Sequence, residues 1–179
     1  RDLKVLQHIG RSTGMETSLI NAVLSVNERQ KHLVHQRLMA LFGSLKNLEV
    51  GVLGLTYKAG TSTLRRSPAI ELIGELMSQG THVRAYDPKA DLSELDHAAR
   101  FRVCATPTEV AEGVDALIIA TEWPEFKELD FVALRSKVRQ PFVLDTKNLL
   151  EPTRMTAAGF TYFGIGRGAA PGRHGTPRQ

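Results

Sequence analysis

Ala116-Leu117-Ile118-Ile119-Ala120 is apolar at every position, so neither side of a two-residue repeat carries anything polar. A strand with one wet face alternates; a strand apolar on both faces belongs inside a parallel sheet covered by helices above and below. The flanking sequence repeats that pattern. Upstream, Leu48-Glu49-Val50-Gly51-Val52-Leu53-Gly54-Leu55 is a second compact apolar strand. Ser67-Pro68 then supplies a helix cap and a proline for the first helical position. The helix they open puts Ala69, Leu72, Ile73 and Leu76 on one face and ends at Gly80. A third strand, His82-Val83-Arg84-Ala85-Tyr86, stops at Asp87-Pro88, and the polar stretch 89–100 leads to a strand over Phe101-Arg102-Val103-Cys104-Ala105. Thr106-Pro107-Thr108-Glu109 has the composition of a capping box, with Gly113 closing the short helix. Downstream, Asp130 is placed to cap a helix through Val138, followed by the strand Pro141 to Asp145, a helix from near Pro152 to Gly159, and the strand Thr161 to Ile165.

Strand-helix-strand units with short connections dictate the fold class, because right-handed crossovers place helices over each face. We expect an α/β protein: a Rossmann-like doubly wound parallel sheet preceded by a long α-helical segment. In that segment Leu3, Leu6 and Ile9 share a face up to Ser12-Thr13-Gly14, and a longer helix is expected over residues 17–41. Its apolar positions, Ile20, Leu24, Val34, Leu38 and Leu41 with Leu19, Val23, Val26 and Leu33 beside them, are too broad for a solitary helix. Asn27 to His32 interrupts the stripe with polar residues, either a solvated middle or a subunit interface or cleft wall. The expected organisation is a helical segment over residues 1–45, a Rossmann-like domain over 46–166 and a disordered basic tail over 167–179.

Composition narrows the function classes. With 42% hydrophobic and 23% charged residues the chain should fold as a globular protein. The formal charge of +4 leans on Arg167, Arg173 and Arg178 in a stretch without acids, which argues against a nucleic-acid-binding surface on the body. Cys104 alone allows neither an internal disulfide nor a multi-cysteine zinc site, and on a strand it reads as a buried thiol. No metal site is expected. No apolar run approaches the roughly 18 residues of a membrane span and the first residues lead into no signal-peptide core, so a cytoplasmic protein with no membrane partner is expected.

In doubly wound sheets ligands sit beyond the carboxyl ends of the strands, which directs attention to Thr56–Arg66, Asp87, Thr121–Phe126 and Asp145–Asn148. A dinucleotide fingerprint needs a tight glycine turn running straight into a helix, and this chain has residues 56–66 between strand and cap instead. Gly51 and Gly54 read equally well as aids to close packing. The inserted loop, Thr56-Tyr57-Lys58-Ala59-Gly60-Thr61-Ser62-Thr63-Leu64-Arg65-Arg66, carries cations and hydroxyls and no carboxylate. At a helix N-terminus that composition suits an anion, although a solvated basic loop has the same composition. Asp87 fits either a strand-end turn or a ligand contact, and Trp123 either packing or a ligand contact.

Gly54-Leu55-Thr56-Tyr57-Lys58-Ala59-Gly60-Thr61, followed by Arg65 and Ser67-Pro68, resembles the loop signature of the UDP-glucose/GDP-mannose dehydrogenase family. That signature is a glycine, two residues, an aromatic, a lysine, and then Thr-Asp-Asp-x-Arg-x-Ser-Pro. Ala85-Tyr86-Asp87-Pro88, the run from Ala116 through Trp123-Pro124 to Asp130, Asp145-Thr146-Lys147-Asn148, and Asn21-Ala22-Val23 with Val26 to Lys31 resemble the family in order and spacing.

The resemblance implies an enzyme that oxidises a sugar C6 alcohol to a carboxylate with two NAD per turnover, through a cysteine thiohemiacetal and thioester. By that matching Arg1-Asp2 aligns with the end of the nucleophile motif. The expectation is a C-terminal portion in which the cysteine lies just ahead of residue 1, Asp2 is a partial catalytic site, and the chain alone is inactive. Lys58 would contact the nucleotide sugar with Tyr57 packed on it, Arg65 would reach the NAD phosphates, and Lys147 stands where the family has an arginine near the substrate. Ser62-Thr63 replace the family's acidic pair. The implied partners are a UDP- or GDP-sugar and a second copy of the chain, as a homodimer through residues 17–41. The alternative is a stand-alone nucleotide-sugar-binding or dimerisation module.

Overall fold

The computed structural model describes residues 2–95 and 101–167. The chain divides into two compact units, Arg1–Gly43 and Ser44–Gln179. In the first, α1 covers Asp2–Thr13, α2 Ser18–Lys31 and α3 Leu33–Phe42. The expected single helix over 17–41 is therefore two. The break falls at His32, whose amide is shared between the Arg29 and Gln30 carbonyls, so the last turn of α2 tightens as helix ends do. It coincides with the polar run from Asn27, which offers no apolar side chain to hold a straight helix. α3 ends at Gly43 in the left-handed region, with its amide bonded to Met39 O at 2.8 Å.

In the second unit the order is β1 (Glu49–Leu53), α4 (Pro68–Ser78), β2 (His82–Tyr86), β3 (Arg102–Val103), α5 (Pro107–Ala111), β4 (Ala116–Ile119), α6 (Phe131–Arg135), β5 (Phe142–Asp145), α7 (Pro152–Ala157) and β6 (Thr161–Gly164). Among the described residues these strands form one six-stranded sheet in the order β3-β2-β1-β4-β5-β6, parallel throughout. The chain thus builds outward from β1 to β3, returns, and builds outward on the other side. Between β1 and β4 the crossovers diverge, and that crevice is where such sheets hold ligands.

Every residue of β4 is buried, as its apolar composition requires. On α4 the buried positions are Ala69, Leu72, Ile73 and Leu76, the stripe read from the sequence. Each large one contributes about 1.5–3 kcal/mol by leaving water. Gly51 has a packing role: a Cβ there would lie 2.7 Å from both Leu117 Cδ2 and Val110 Cγ1, so the glycine lets α5 and β4 close on β1. Several expected details shift by a residue or more. Cys104 stands one residue beyond β3, held by its amide to Ala85 O at 2.8 Å. Thr106 caps α5 by accepting from Glu109 N at 3.2 Å, while Glu109 reaches back to the amide of Ala105, one residue before the cap. Asp130 caps α6 through Ala133 N at 2.9 Å, and that helix ends at Arg135 rather than Val138. The tail expected over 167–179 lies, beyond Arg167, outside the described residues.

The far end of β5 is tied to β6 by a buried polar pair. Tyr162 donates its hydroxyl to Asp145 Oδ2 at 2.9 Å, and burial, with that carboxylate beside it, raises the phenol above its ordinary value near 10. A phenol held protonated in the fold stabilises it fully below about pH 10 and loses that contribution as pH climbs beyond. Tyr162→Phe should therefore lower stability by about 1–2 kcal/mol at neutral pH. Denaturant melts of the two proteins should converge between about pH 10 and 12; a gap that widens there would contradict this.

Candidate functional site

β1, β2, β4 and β5 end side by side, with Leu53 level with Tyr86 and Ile119, and Ile119 level with Asp145. The segments that follow them share one edge. Gly54, at φ 97, turns the chain out of β1 with its amide on Tyr86 O at 2.8 Å, against Thr121. Thr121 donates its hydroxyl to Thr56 O at 2.9 Å.

The turn closes on one carboxylate. Asp87 Oδ2 accepts from the amides of Leu55 (2.7 Å) and Thr56 (2.9 Å), from the Thr56 hydroxyl (2.9 Å) and from Trp123 Nε1–H (3.0 Å). Asp87 Oδ1 accepts from the amide of Lys89 at 2.9 Å. An acidic residue at the end of the second strand is where dinucleotide domains hold a ribose. Here that carboxylate is engaged by its own chain, so of the two readings of Asp87 the strand-end turn is realised. Trp123 is buried and serves the same turn.

Beyond Thr56 the loop doubles back. The amide of Tyr57 donates to Thr63 O at 3.0 Å, and the Thr61 hydroxyl to Lys58 O at 2.8 Å. Arg66 sits at φ 59, a left-handed conformation that costs a non-glycine residue about 1–2 kcal/mol. Ser67 then enters α4: its hydroxyl accepts from Ala69 N at 3.2 Å and donates to Leu55 O at 2.6 Å, anchoring the helix start to the end of β1. Tyr57, Lys58 and Arg65 are exposed. Among the described residues no ion pair engages Lys58, whereas Arg65 Nε lies 3.6 Å from Glu94 Oε1.

After β5, buried Asp145 accepts from the amides of Lys147 (2.9 Å) and Leu150 (2.8 Å), which fixes the turn. Lys147 Nζ comes within 3.7 Å of Glu122 Oε2, linking the segments beyond β4 and β5. Asn148, at φ 52, donates its side-chain amide to Ile165 O at 3.0 Å.

Tyr57, Lys58, Arg65 and Lys147 thus lie beyond the carboxyl ends of one sheet, on two different loops. Asp2 stands exposed at the first position of α1, in the other unit. Cys104 is buried and burial raises its thiol, the reverse of what a nucleophile needs. Among the described residues no cluster of histidine, cysteine, aspartate or glutamate could hold a metal, and no helix is long and apolar enough to cross a membrane. Sequence reading missed Glu94 and Glu122 as neighbours of the cations. Both act across roughly 25–30 residues of chain, where periodicity and motif spacing give no signal.

A family model for the UDP-glucose/GDP-mannose dehydrogenase family, UDP binding domain, matches residues 51–152. A UDP-glucose 6-dehydrogenase of Bacillus subtilis is 37% identical over 174 residues, which span 96% of this chain and 38% of that protein. One from Pseudomonas aeruginosa is 36% identical over 93% of this chain and 38% of its own length. The structure of a UDP-glucose dehydrogenase from Pyrobaculum islandicum superposes with a TM-score of 0.77 at 29% identity, over 92% of this chain and 36% of that one. The chain therefore spans about two fifths of the length of the curated relatives it matches.

Proposed function

Since the chain belongs to the UDP-glucose/GDP-mannose dehydrogenase family, we propose that residues 46–166 are the lobe that holds the diphosphate of a nucleotide sugar in an NAD-dependent 6-dehydrogenase. The observation that carries this reading is the loop after β1. It presents Lys58 without an ion-pair partner among the described residues, and it leads into the capped N-terminus of α4. Cations at the positive end of a helix are suited to phosphate oxygens. Lys58 binds the nucleotide sugar with Tyr57 packed against it, and Lys147, oriented by Glu122, supplies a second ammonium. An ammonium there keeps charge but not the two-pronged geometry of a guanidinium.

This unit does not fit NAD on its own. It has no glycine turn running into a helix, and the carboxylate at the end of β2 is occupied by its own chain. Arg65 is therefore assigned only a reach toward cofactor phosphates, and no hydride step is derived for these residues. Cys104 cannot supply the thioester chemistry because it is buried and raised. With Asp2 as a partial site, the chain alone is expected not to oxidise UDP-glucose or GDP-mannose; NADH formation by it would overturn that assignment.

Residues 17–41 are proposed as a homodimer contact, since Leu19, Val23 and Val26 form an exposed apolar stripe on α2. A strictly monomeric chain in sedimentation would remove this part.

Calorimetry tests the central reading. UDP and UDP-glucose, or GDP and GDP-mannose, should bind the whole chain saturably, and Lys58→Ala should weaken binding by about tenfold, or about 1.4 kcal/mol. No saturable binding at millimolar ligand, or a Lys58→Ala variant that binds unchanged, would refute it.

A further inference from the structure

The cation loop contains no carboxylate of its own, and yet its backbone is organised by one. Glu94 Oε2, brought over by the connection after β2, accepts from the amide of Leu64 at 2.7 Å, the hydroxyl of Thr63 at 2.9 Å and the amide of Arg65 at 3.3 Å. Its other oxygen is the one that faces Arg65. A second strand of contact runs beside it, where the amide of Asp91 donates to Ser62 O at 2.8 Å. The Asp91 side chain in turn caps the 3-10 turn Leu92–Glu94 by accepting from Ser93 N at 3.1 Å and the Ser93 hydroxyl at 2.6 Å. Residues 62–65 are thus docked along residues 91–94.

The docking extends to Lys58 through one further link. Thr63, whose hydroxyl Glu94 receives, gives its carbonyl to the amide of Tyr57, the residue before Lys58. The loop is closed at its base by Ser67 and at its waist by this Tyr57–Thr63 bond, and Glu94 holds the waist. Charge-assisted bonds of this kind are about twice as strong as neutral ones. An unanchored stretch of the length of residues 56–66 would have to be ordered by the ligand, which subtracts from affinity.

We propose that Glu94 is the positioning residue of the nucleotide-sugar loop: its carboxylate pre-sets the backbone of residues 63–65, and through the Tyr57–Thr63 bond the placement of Lys58, before ligand arrives. This rests on the reading of Lys58 as a diphosphate contact. Glu94 is assigned no ligand contact of its own.

The test combines amide hydrogen exchange with calorimetry on the whole chain and its Glu94→Ala and Glu94→Gln variants, using UDP as the probe. In Glu94→Ala the amides of Tyr57, Leu64 and Arg65 should exchange at least about tenfold faster while those of β1 and β4 keep their protection, and UDP should bind about tenfold more weakly. Glu94→Gln, which retains a carbonyl acceptor for Leu64 and Thr63, should recover most of both, to within about threefold of the parent. Should Glu94→Ala lose protection throughout β1 and β4, the comparison is read on Glu94→Asp, whose carboxylate falls one methylene short of the Leu64 amide and Thr63 hydroxyl: the same amides must exchange faster and UDP must bind more weakly, and no change in either would overturn the proposal.

Faster exchange with unchanged UDP affinity would make Glu94 a purely structural residue and overturn the proposal. Unchanged exchange at residues 57, 64 and 65 would overturn it as well. If the parent chain fails to bind UDP while Glu94→Ala still frees those amides, the nucleotide reading falls; the pre-set backbone stands, without a role in binding.

Discussion

Gly54→Ala should destabilise the chain by about 3–4 kcal/mol, a large share of the 5–15 kcal/mol by which domains are folded. Two costs add. The backbone at residue 54 lies at φ 97, a conformation L side chains rarely adopt, which costs roughly 1–2 kcal/mol. The new methyl carbon would also fall 2.5 Å from Thr121 Cβ and 2.6 Å from the Thr121 amide nitrogen. Backbone cannot give way as the end of a flexible side chain can, and overpacking of this kind costs about 1–3 kcal/mol. Thr121 is itself tied to Thr56, so relief of the clash would pull on the start of the cation loop. Gly60→Ala is the matched control: it has φ 83 but nothing within 4 Å of an added carbon, so it should show only the backbone cost. Urea melts of the pair check this, and a Gly54→Ala loss no greater than that of Gly60→Ala would show the close approach to Thr121 to be unimportant.

Asp87→Ala is the second large effect expected, about 3 kcal/mol. It removes the acceptor of the Leu55 and Thr56 amides and the Thr56 hydroxyl, and one of the two acceptors the Trp123 indole shares. Unpaired buried donors cost about 1–3 kcal/mol each, with water entering to soften the total. The chain has a single tryptophan, so its fluorescence reports on this turn alone. Trp123 is 5% exposed, and in the variant its emission should shift to the red as water reaches the indole. The indole nitrogen also lies 3.0 Å from the Thr56 hydroxyl oxygen; an unshifted emission with an unchanged melt would mean that this contact alone suffices to hold it.

These residues also mark where sequence reading works. Ser67-Pro68 and the α4 stripe were legible because a cap and a 3.6-residue repeat are local signals, and β4 because burial on both faces leaves nothing polar to place. The capping box was nearly right: Thr106 does its part, but the Glu109 carboxylate bonds the amide of Ala105, a choice between adjacent donors that composition does not encode. The continuous helix over 17–41 failed because polar side chains suit a solvated helix and a helix break alike. Of the candidate site, the loop and its cations were legible from spacing. Its supports were not. Asp87 meets Leu55 and Thr56 across 32 and 31 residues, and Glu94 meets Leu64 across 30, so only the folded sheet brings them together. The choice between readings of Asp87 rested on whether its oxygens were already engaged, which is a property of the assembled edge.

If, as proposed, the edge beyond β1, β4 and β5 receives the diphosphate of a nucleotide sugar, the backbone amides of the 15N-labelled chain will report it during titration with UDP-glucose and, in parallel, GDP-mannose. Saturable shifts are predicted at residues 54–66, with weaker ones at 121–123 and 146–148, and in Lys58→Ala their midpoint should move to about tenfold higher ligand. Shifts confined to other parts of the sheet, or none with either ligand at millimolar concentration, would contradict it.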